Sequence, residues 1–189
     1  MFRKGSSYLI ILSGIIFLSF IGKSVTVYKV SESSTFIVAG TSTLHDWEMS
    51  SSEARGNGEF VIKDNLVQNI KSLNVKLKSE SLKSGKDKMD ENAYKALKTE
   101  ENPYITFKLD RVISIKDNVM QLKGKFTAGG TTKTEIVEVV PKYDKGEVTL
   151  LGKFDMTFKE YNMVPPTAVM GTIKTGNELN IYFKVIFVD

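Results

Sequence analysis

Residues 147–159 read EVTLLGKFDMTFK, and residues 179–187 read LNIYFKVIF. In the first stretch Val148, Leu150, Gly152, Phe154, Met156 and Phe158 fall on alternate positions. Thr149, Lys153, Asp155, Thr157 and Lys159 sit between them, with Leu151 as the apolar intruder. In the second, Leu179, Ile181, Phe183, Val185 and Phe187 alternate with Asn180, Tyr182 and Lys184. Successive side chains of a strand point to opposite faces, so each stretch predicts a strand with one apolar and one polar side. Both exceed the usual strand length of about 5–6 residues. Such strands need a large apolar partner surface, and the expectation is that the rest of the chain supplies it by curling the sheet around on itself.

Upstream, residues 25–30 and 35–41 read as the first two strands, separated by the turn-prone Ser31, Glu32, Ser33 and Ser34. Arg55, Gly56, Asn57 and Gly58 read as a turn or an irregular strand start, after which Phe60 and Ile62 begin an alternating strand ending at Asp64 and Asn65. Leu73, Val75 and Leu77 alternate with Asn74, Lys76 and Lys78. The period then changes. Met89, Ala93 and Leu97 lie at i, i+4 and i+8, which predicts one helix over about 87–98, capped by Ser84 or Asp87 and blocked at its far end by Pro103. Strands resume with Ile105, Phe107 and Leu109, then Val112, Ile113 and Ile115, then a turn at Lys116, Asp117 and Asn118. Met120, Leu122, Gly124 and Phe126 alternate with Gln121, Lys123, Lys125 and Thr127. Gly129 and Gly130 then turn the chain into a strand over 133–143.

Eight to ten amphipathic strands and one helix leave a two-sheet sandwich or a closed antiparallel barrel. Long strands in hairpin order favour closure, which removes exposed edges. A barrel spanning an outer membrane also alternates, with its apolar face toward lipid. The Lys- and Glu-rich polar face and the interrupting helix argue for the opposite arrangement, apolar inside. The expected fold is all-β: an antiparallel closed barrel of about eight strands, with one helix in an insertion.

The first 24 residues have the form of an export signal. Arg3 and Lys4 precede a nearly unbroken hydrocarbon run over 8–21, and Gly22 and Ser24 offer small residues for cleavage after Ser24. The run is shorter than the ~17–25 residues of a spanning helix, so no stable membrane span is expected in the mature chain, residues 25–189. The expected location is the periplasm or the exterior. The chain has no cysteine, which excludes disulfides and a lipoprotein anchor, and about 165 residues suffice for a core without them. Of the formal charge of +4, Arg3, Lys4 and Lys23 belong to the leader, leaving about +1. No basic patch points to nucleic acid.

Candidate chemistry is sparse. His45 is the single histidine, and Asp46 and Glu48 would point away from it on a strand, so no metal site is expected. It reads as a hydrogen-bonded rim residue, a contact to a ligand head group, or least of all a catalytic base. No nucleophile elbow, phosphate loop or dinucleotide glycine pattern is present, so no catalytic residue and no cofactor are assigned. Trp47 fills the core or lines a cavity. Met163, Val164, Pro165 and Pro166 connect the last two strands or form a lip. The inward row of Phe36, Phe107, Phe126, Phe154, Met156, Phe158, Ile181 and Phe183 is most simply core. Barrels of about eight strands are filled by side chains or leave room for one small ligand. Gly124 and Gly152, mid-strand on the apolar face, leave free volume in the lumen or mark a bend.

Several motifs together resemble the YceI-like family of polyisoprenoid-binding periplasmic proteins. Residues 40–47 read GTSTLHDW; Leu82 to Gly85, Met89–Asp90, Ala96 to Lys98 and Asn102 to Phe107 match around the helix. Gly124 to Phe126, Gly130 to Lys133, and Pro165 to Thr167 with Gly171 continue the match over nearly all of the mature chain. The resemblance implies a lipocalin-like barrel whose lumen takes a long isoprenoid or similar amphiphilic chain. The residues then expected at lumen and mouth are Phe36, Val38, His45, Trp47, Phe107, Leu122, Phe126, Phe154, Met156, Phe158, Met163, Pro165, Ile181 and Phe183. The leading expectation is non-enzymatic binding, transport or storage of an isoprenoid or quinone-like lipid. The alternatives are an envelope interaction module with a filled barrel, and an enzyme using His45. A homodimer is possible.

Overall fold

The computed structural model describes residues 26–189; the expected export signal lies outside them. Eleven strands and one helix succeed one another: β1 (Val27–Val30), β2 (Thr35–Ser42), β3 (Trp47–Ser51), β4 (Ala54–Lys63), β5 (Leu66–Lys78), α1 (Asp87–Leu97), β6 (Tyr104–Lys116), β7 (Val119–Ala128), β8 (Thr131–Asp144), β9 (Glu147–Thr157), β10 (Thr167–Ala168) and β11 (Ile173–Val188). All pairings are antiparallel, and β1, β4, β5, β6, β7, β8, β9 and β11 close a ring of eight. The apolar faces point inward, the reverse of a barrel that faces lipid.

β1 and β2 are two halves of one broken strand along β11: Val30 pairs with Phe187, and Thr35 with Lys184. The break at Ser31 to Ser34 is pinned by Ser34, whose Oγ accepts from the Ile186 N–H at 3.0 Å. Below the break β1 pairs with β4 and closes the ring; above it β2 pairs with β3. Toward this upper end β3 does not reach β5. The gap is bridged by the segment after β5, where Ser50 and Lys83 exchange backbone hydrogen bonds of 2.8 and 2.9 Å. A second split lies between β8 and β9, which pair only from Glu138–Lys153 down to Asp144–Glu147.

Of the two readings of Arg55 to Gly58, the irregular strand start holds: they open β4, paired with β5, and the Phe60 ring folds back over Gly58. Three other sequence expectations need correction. Ile105 to Ile115 belong to one strand, β6, whose register shifts at Leu109/Arg111 and Val112/Ser114 break the alternation and leave Ile113 and Ile115 outside. β11 begins at Ile173, six residues before the apolar alternation, and an irregularity between Thr175 and Leu179 conceals it. Neither Ser84 nor Asp87 caps α1. Instead the Ser84 N–H and Oγ both donate to the buried carboxylate of Asp90, at 2.8 and 2.7 Å. At the other end Lys98 turns left-handed (φ 53°) and stops the helix well before Pro103.

Candidate functional site

The lumen has a filled half and an empty half. At the lower end, among the hairpin turns, Tyr28 meets Phe60 edge-on with centroids 5.4 Å apart, and Phe60 meets Phe187 at 5.1 Å. Val67, Ile70 and Val148 complete this plug. Above it a cavity of about 410 Å³ runs to the upper end of the barrel. Its floor is Phe187, Leu73, Val139 and Leu150, and its wall carries almost nothing but hydrocarbon and aromatic rings. A volume of ~300–1,000 Å³ with apolar walls is typical of small-molecule sites. The filled-barrel alternative required an interior without such a space.

Of the residues expected at lumen and mouth, Phe36, Val38, His45, Trp47, Phe107, Leu122, Phe126, Phe154, Met156, Phe158, Met163, Ile181 and Phe183 line this cavity. Pro165 does not; its neighbour Pro166 takes that place, since the turn into β10 presents only the second ring to the opening. Phe154 meets Phe126 at a tilt of 57° (5.1 Å between centroids), and Phe183 stacks on Phe36 (6.5 Å). The rings thus pair along the wall and leave the axis free.

Strand glycines make that arrangement possible, in a way that differs from the expected empty space or bend. A Cβ at Gly152 would overlap the Phe183 ring; one at Gly124 would meet Phe107, and one at Gly40 would meet Trp47. Each ring lies down on the bare backbone of the neighbouring strand instead of standing into the lumen. The same three rings line the cavity, so the glycines widen it indirectly.

One end of the cavity is covered by α1. Its stripe Met89, Ala93 and Leu97 packs on Met49, Ala54, Leu77 and Leu82. Met89, Ala93, Ala96 and Leu97 also line the space. The i, i+4, i+8 spacing was visible in the sequence, but which surface it faced was not. The Tyr94 hydroxyl ties the helix to the Glu80 and Leu82 carbonyls at 2.9 and 3.2 Å. Beside the helix, the β2–β3 hairpin forms the lip. There the Ser42 Oγ accepts from the Leu44 and His45 N–H groups and donates to the His45 carbonyl at 2.7 Å. The exposed His45 ring places Nδ1 2.6 Å from the Asp46 carbonyl, and no carboxylate partners it. Trp47 is half-buried and donates Nε1–H to the Thr41 carbonyl at 2.9 Å. Among the described residues no three His, Cys, Asp or Glu side chains gather as a metal site.

The upper β8–β9 split is sealed by Tyr161, which sequence patterning did not single out. It is fully buried, edge-on to Phe126 at 5.6 Å, and donates its hydroxyl to Glu135 Oε1 at 2.7 Å. Burial first, and then that hydrogen bond, push its pKa well above the ordinary phenol value of 10.0. It remains a protonated donor throughout the neutral range.

A closed antiparallel barrel with one covering helix and a hollow apolar upper half has room for one small ligand. Residues 28–187 match the YceI-like domain model, and the chain belongs to that family. At the level of sequence no curated protein matches it. Among solved structures, BcnA of Burkholderia cenocepacia is similar with a TM-score of 0.70 and 15% identity, covering 83% of this chain and 98% of that one. A polyisoprenoid-binding domain from Saccharophagus degradans, implicated in plant cell wall breakdown, is similar at 0.65 and 8% identity, covering 87% and 99%. The YceI protein of Campylobacter jejuni is similar at 0.59 and 15% identity, covering 71% and 80%. At these identities the likeness is one of fold. Among the described residues no helix is long and apolar enough to cross a membrane.

Proposed function

We propose that this protein binds an isoprenoid-type amphiphilic lipid, a polyisoprenoid or quinone-like molecule, without acting on it chemically, and carries or stores it outside the cytoplasm. The observation that carries this reading is the apolar cavity of about 410 Å³ that fills the upper half of the barrel and reaches its rim. Each methylene removed from water contributes about 0.8 kcal/mol, so an isoprenoid chain in an aqueous compartment gains from such an enclosure in proportion to its length. The walls supply non-directional affinity through Phe36, Phe107, Phe126, Phe154 and Phe183, and the polar head stays at the mouth near His45 and Trp47. The fold shared with a polyisoprenoid-binding domain supports the same class of ligand. Export rests on the leader-like residues 1–24.

The test is to isolate the protein from the cell envelope, determine its N-terminus, extract it with organic solvent and identify the extract by mass spectrometry. The expected result is a chain starting near Val25 with a stoichiometric isoprenoid lipid. A lipid-free extract, together with no uptake when isoprenoid alcohols and quinones are offered, would overturn the reading.

A further inference from the structure

Among the described residues, the four most exposed large hydrophobics are Met170, fully exposed, Val164 at 78%, Val169 at 67% and Leu44 at 65%. All four belong to the loops around the cavity mouth. Leu44 tips the β2–β3 hairpin, and Val164 lies between Met163 and Pro166, both of which line the cavity. Val169 and Met170 form the β10–β11 turn. The loops are tied together: the Thr43 N–H donates to the Lys174 carbonyl at 3.0 Å, the Lys174 N–H to Thr43 Oγ1 at 3.1 Å, and the Thr175 N–H to the Pro166 carbonyl at 3.1 Å. At the lower end of the barrel the exposed apolar side chains are less exposed, with Leu66 at 56%, Ile115 at 49% and Val27 at 47%.

The β10–β11 turn breaks two local rules at once. Val169, Met170 and Gly171 are consecutively left-handed, with φ of 50°, 52° and 86°. A β-branched residue is a genuine outlier there, and Asn or Gly would be the ordinary occupants. These costly positions hold bulky apolar side chains and hold them in solvent. Departures from local consistency that fold stability does not explain are where function is expected.

The geometry points to a bilayer surface as the occupant of this rim: the loop tips insert among lipid acyl chains and bring the cavity mouth against the membrane. Three observations favour a bilayer over a protein partner. The apolar groups stand on three loop tips, Leu44, Val164 and Val169–Met170, beside the polar Thr43 and Thr172, and a fluid bilayer, unlike a rigid partner, needs no matching shape. They flank the opening of an apolar cavity, so contact would join one hydrocarbon phase to the other. Rim charges nearly balance, with Lys86, Lys88 and Lys174 set against Asp46, Asp87 and Glu91, and Lys88 already pairs with Glu91 at 2.8 Å. Apolar insertion, not attraction to anionic head groups, therefore drives the contact. The purpose of the device, loading and release of lipid, rests on the lumen reading above; the membrane contact itself does not.

The test is vesicle flotation with residues 25–189, which hold the whole barrel. The vesicles are phosphatidylcholine with phosphatidylethanolamine, with and without added phosphatidylglycerol, at low and high salt. The informative variant is V169N/M170G, which suits the left-handed backbone and so preserves or raises thermal stability. Wild type floats in every condition with little salt dependence, and the variant partitions about tenfold less. Leu151→Glu on the outer barrel wall leaves partition unchanged. The proposal is overturned if wild type does not float, if the variant floats equally, or if flotation requires phosphatidylglycerol. It is also overturned if the variant changes only the oligomeric mass, which would make the rim a contact between copies of the chain. Uptake of an isoprenoid alcohol dispersed from ethanol, without vesicles, should be the same in both proteins. Loss of that uptake in wild type would remove the lumen reading and leave the membrane contact standing.

Discussion

Phe183 lies on its cross-strand neighbour Gly152 with no side chain between ring and backbone. The pair couples wall to lumen, because any side chain at position 152 must lift the ring toward the cavity axis. Gly152→Ala is expected to cost about 1–3 kcal/mol through overpacking, read as a lower thermal midpoint, and to reduce isoprenoid uptake. Phe183→Leu in the same protein should restore only part of the stability. The new Cβ would still stand against the Glu138 carbonyl, which cannot move without breaking the β8–β9 ladder. Full restoration would show that the ring alone fills the site.

A second prediction separates a hollow from a merely loose core. Val139 is buried in the cavity floor, on β8. Adding a larger side chain to a close-packed interior typically costs about 1–3 kcal/mol, whereas one entering empty space gains contacts. Val139→Phe should therefore leave chemical denaturation nearly unchanged while sharply lowering lipid uptake. A strongly destabilised Val139→Phe would mean that the floor has no space to give.

These two residues also mark what could be read from the sequence. Alternation over 147–157 and 179–187 exposes inward and outward faces, because a strand buried on one side must obey period two. Turn signals at Asp64–Asn65 and Asp117–Asn118 fall where the hairpins turn, each with left-handed residues. The lengths of those strands favoured closure into a barrel; the aromatic row read as core, and its place in a lumen came with the family resemblance. What stayed hidden depends on distance in the chain. Tyr161 finds Glu135 across 26 residues, and nothing near either one announces the contact. The broken β1/β2 strand was legible only as a turn, since the pairing that makes its halves collinear lies on β11. Asp90, an acidic residue on a polar-looking helix start, gave no sign of being buried.

The Tyr161–Glu135 bond carries a pH prediction. The folded phenol has a raised pKa, so its contribution to stability is fully present below the ordinary value of 10.0 and is lost as pH rises beyond it, where the unfolded chain ionises first. Tyr28, raised chiefly by burial, acts in the same direction. Stability should fall steeply in alkali. Tyr161→Phe should cost about 1.5–3 kcal/mol near neutrality, because a hydrogen bond to a carboxylate is lost, and should make the alkaline decline shallower. Urea denaturation across neutral and alkaline pH checks both. An unchanged alkaline slope in Tyr161→Phe would rule out this tyrosine as the source.

The last prediction concerns the helix that covers the cavity. Asp90 is buried beneath the start of α1, with its carboxylate accepting both the N–H and the hydroxyl of Ser84, and Lys83 at 3.8 Å. The lysine is largely exposed, so that ion pair contributes little, and the two hydrogen bonds hold the helix entry in place. Asp90→Asn keeps a carbonyl oxygen for the Ser84 donors but removes the charge; Asp90→Ala removes both and leaves the donors unpaired. The expected order of stability is wild type, then Asn, then Ala, with Ala lower by about 1–3 kcal/mol. Because Met89 and Ala93 line the cavity from the same helix, loosening its start should speed lipid release more than it weakens equilibrium binding. Hydrogen exchange should show faster opening confined to residues 84–97. Faster exchange spread evenly over the barrel would mean that Asp90 supports the whole fold and not the cover.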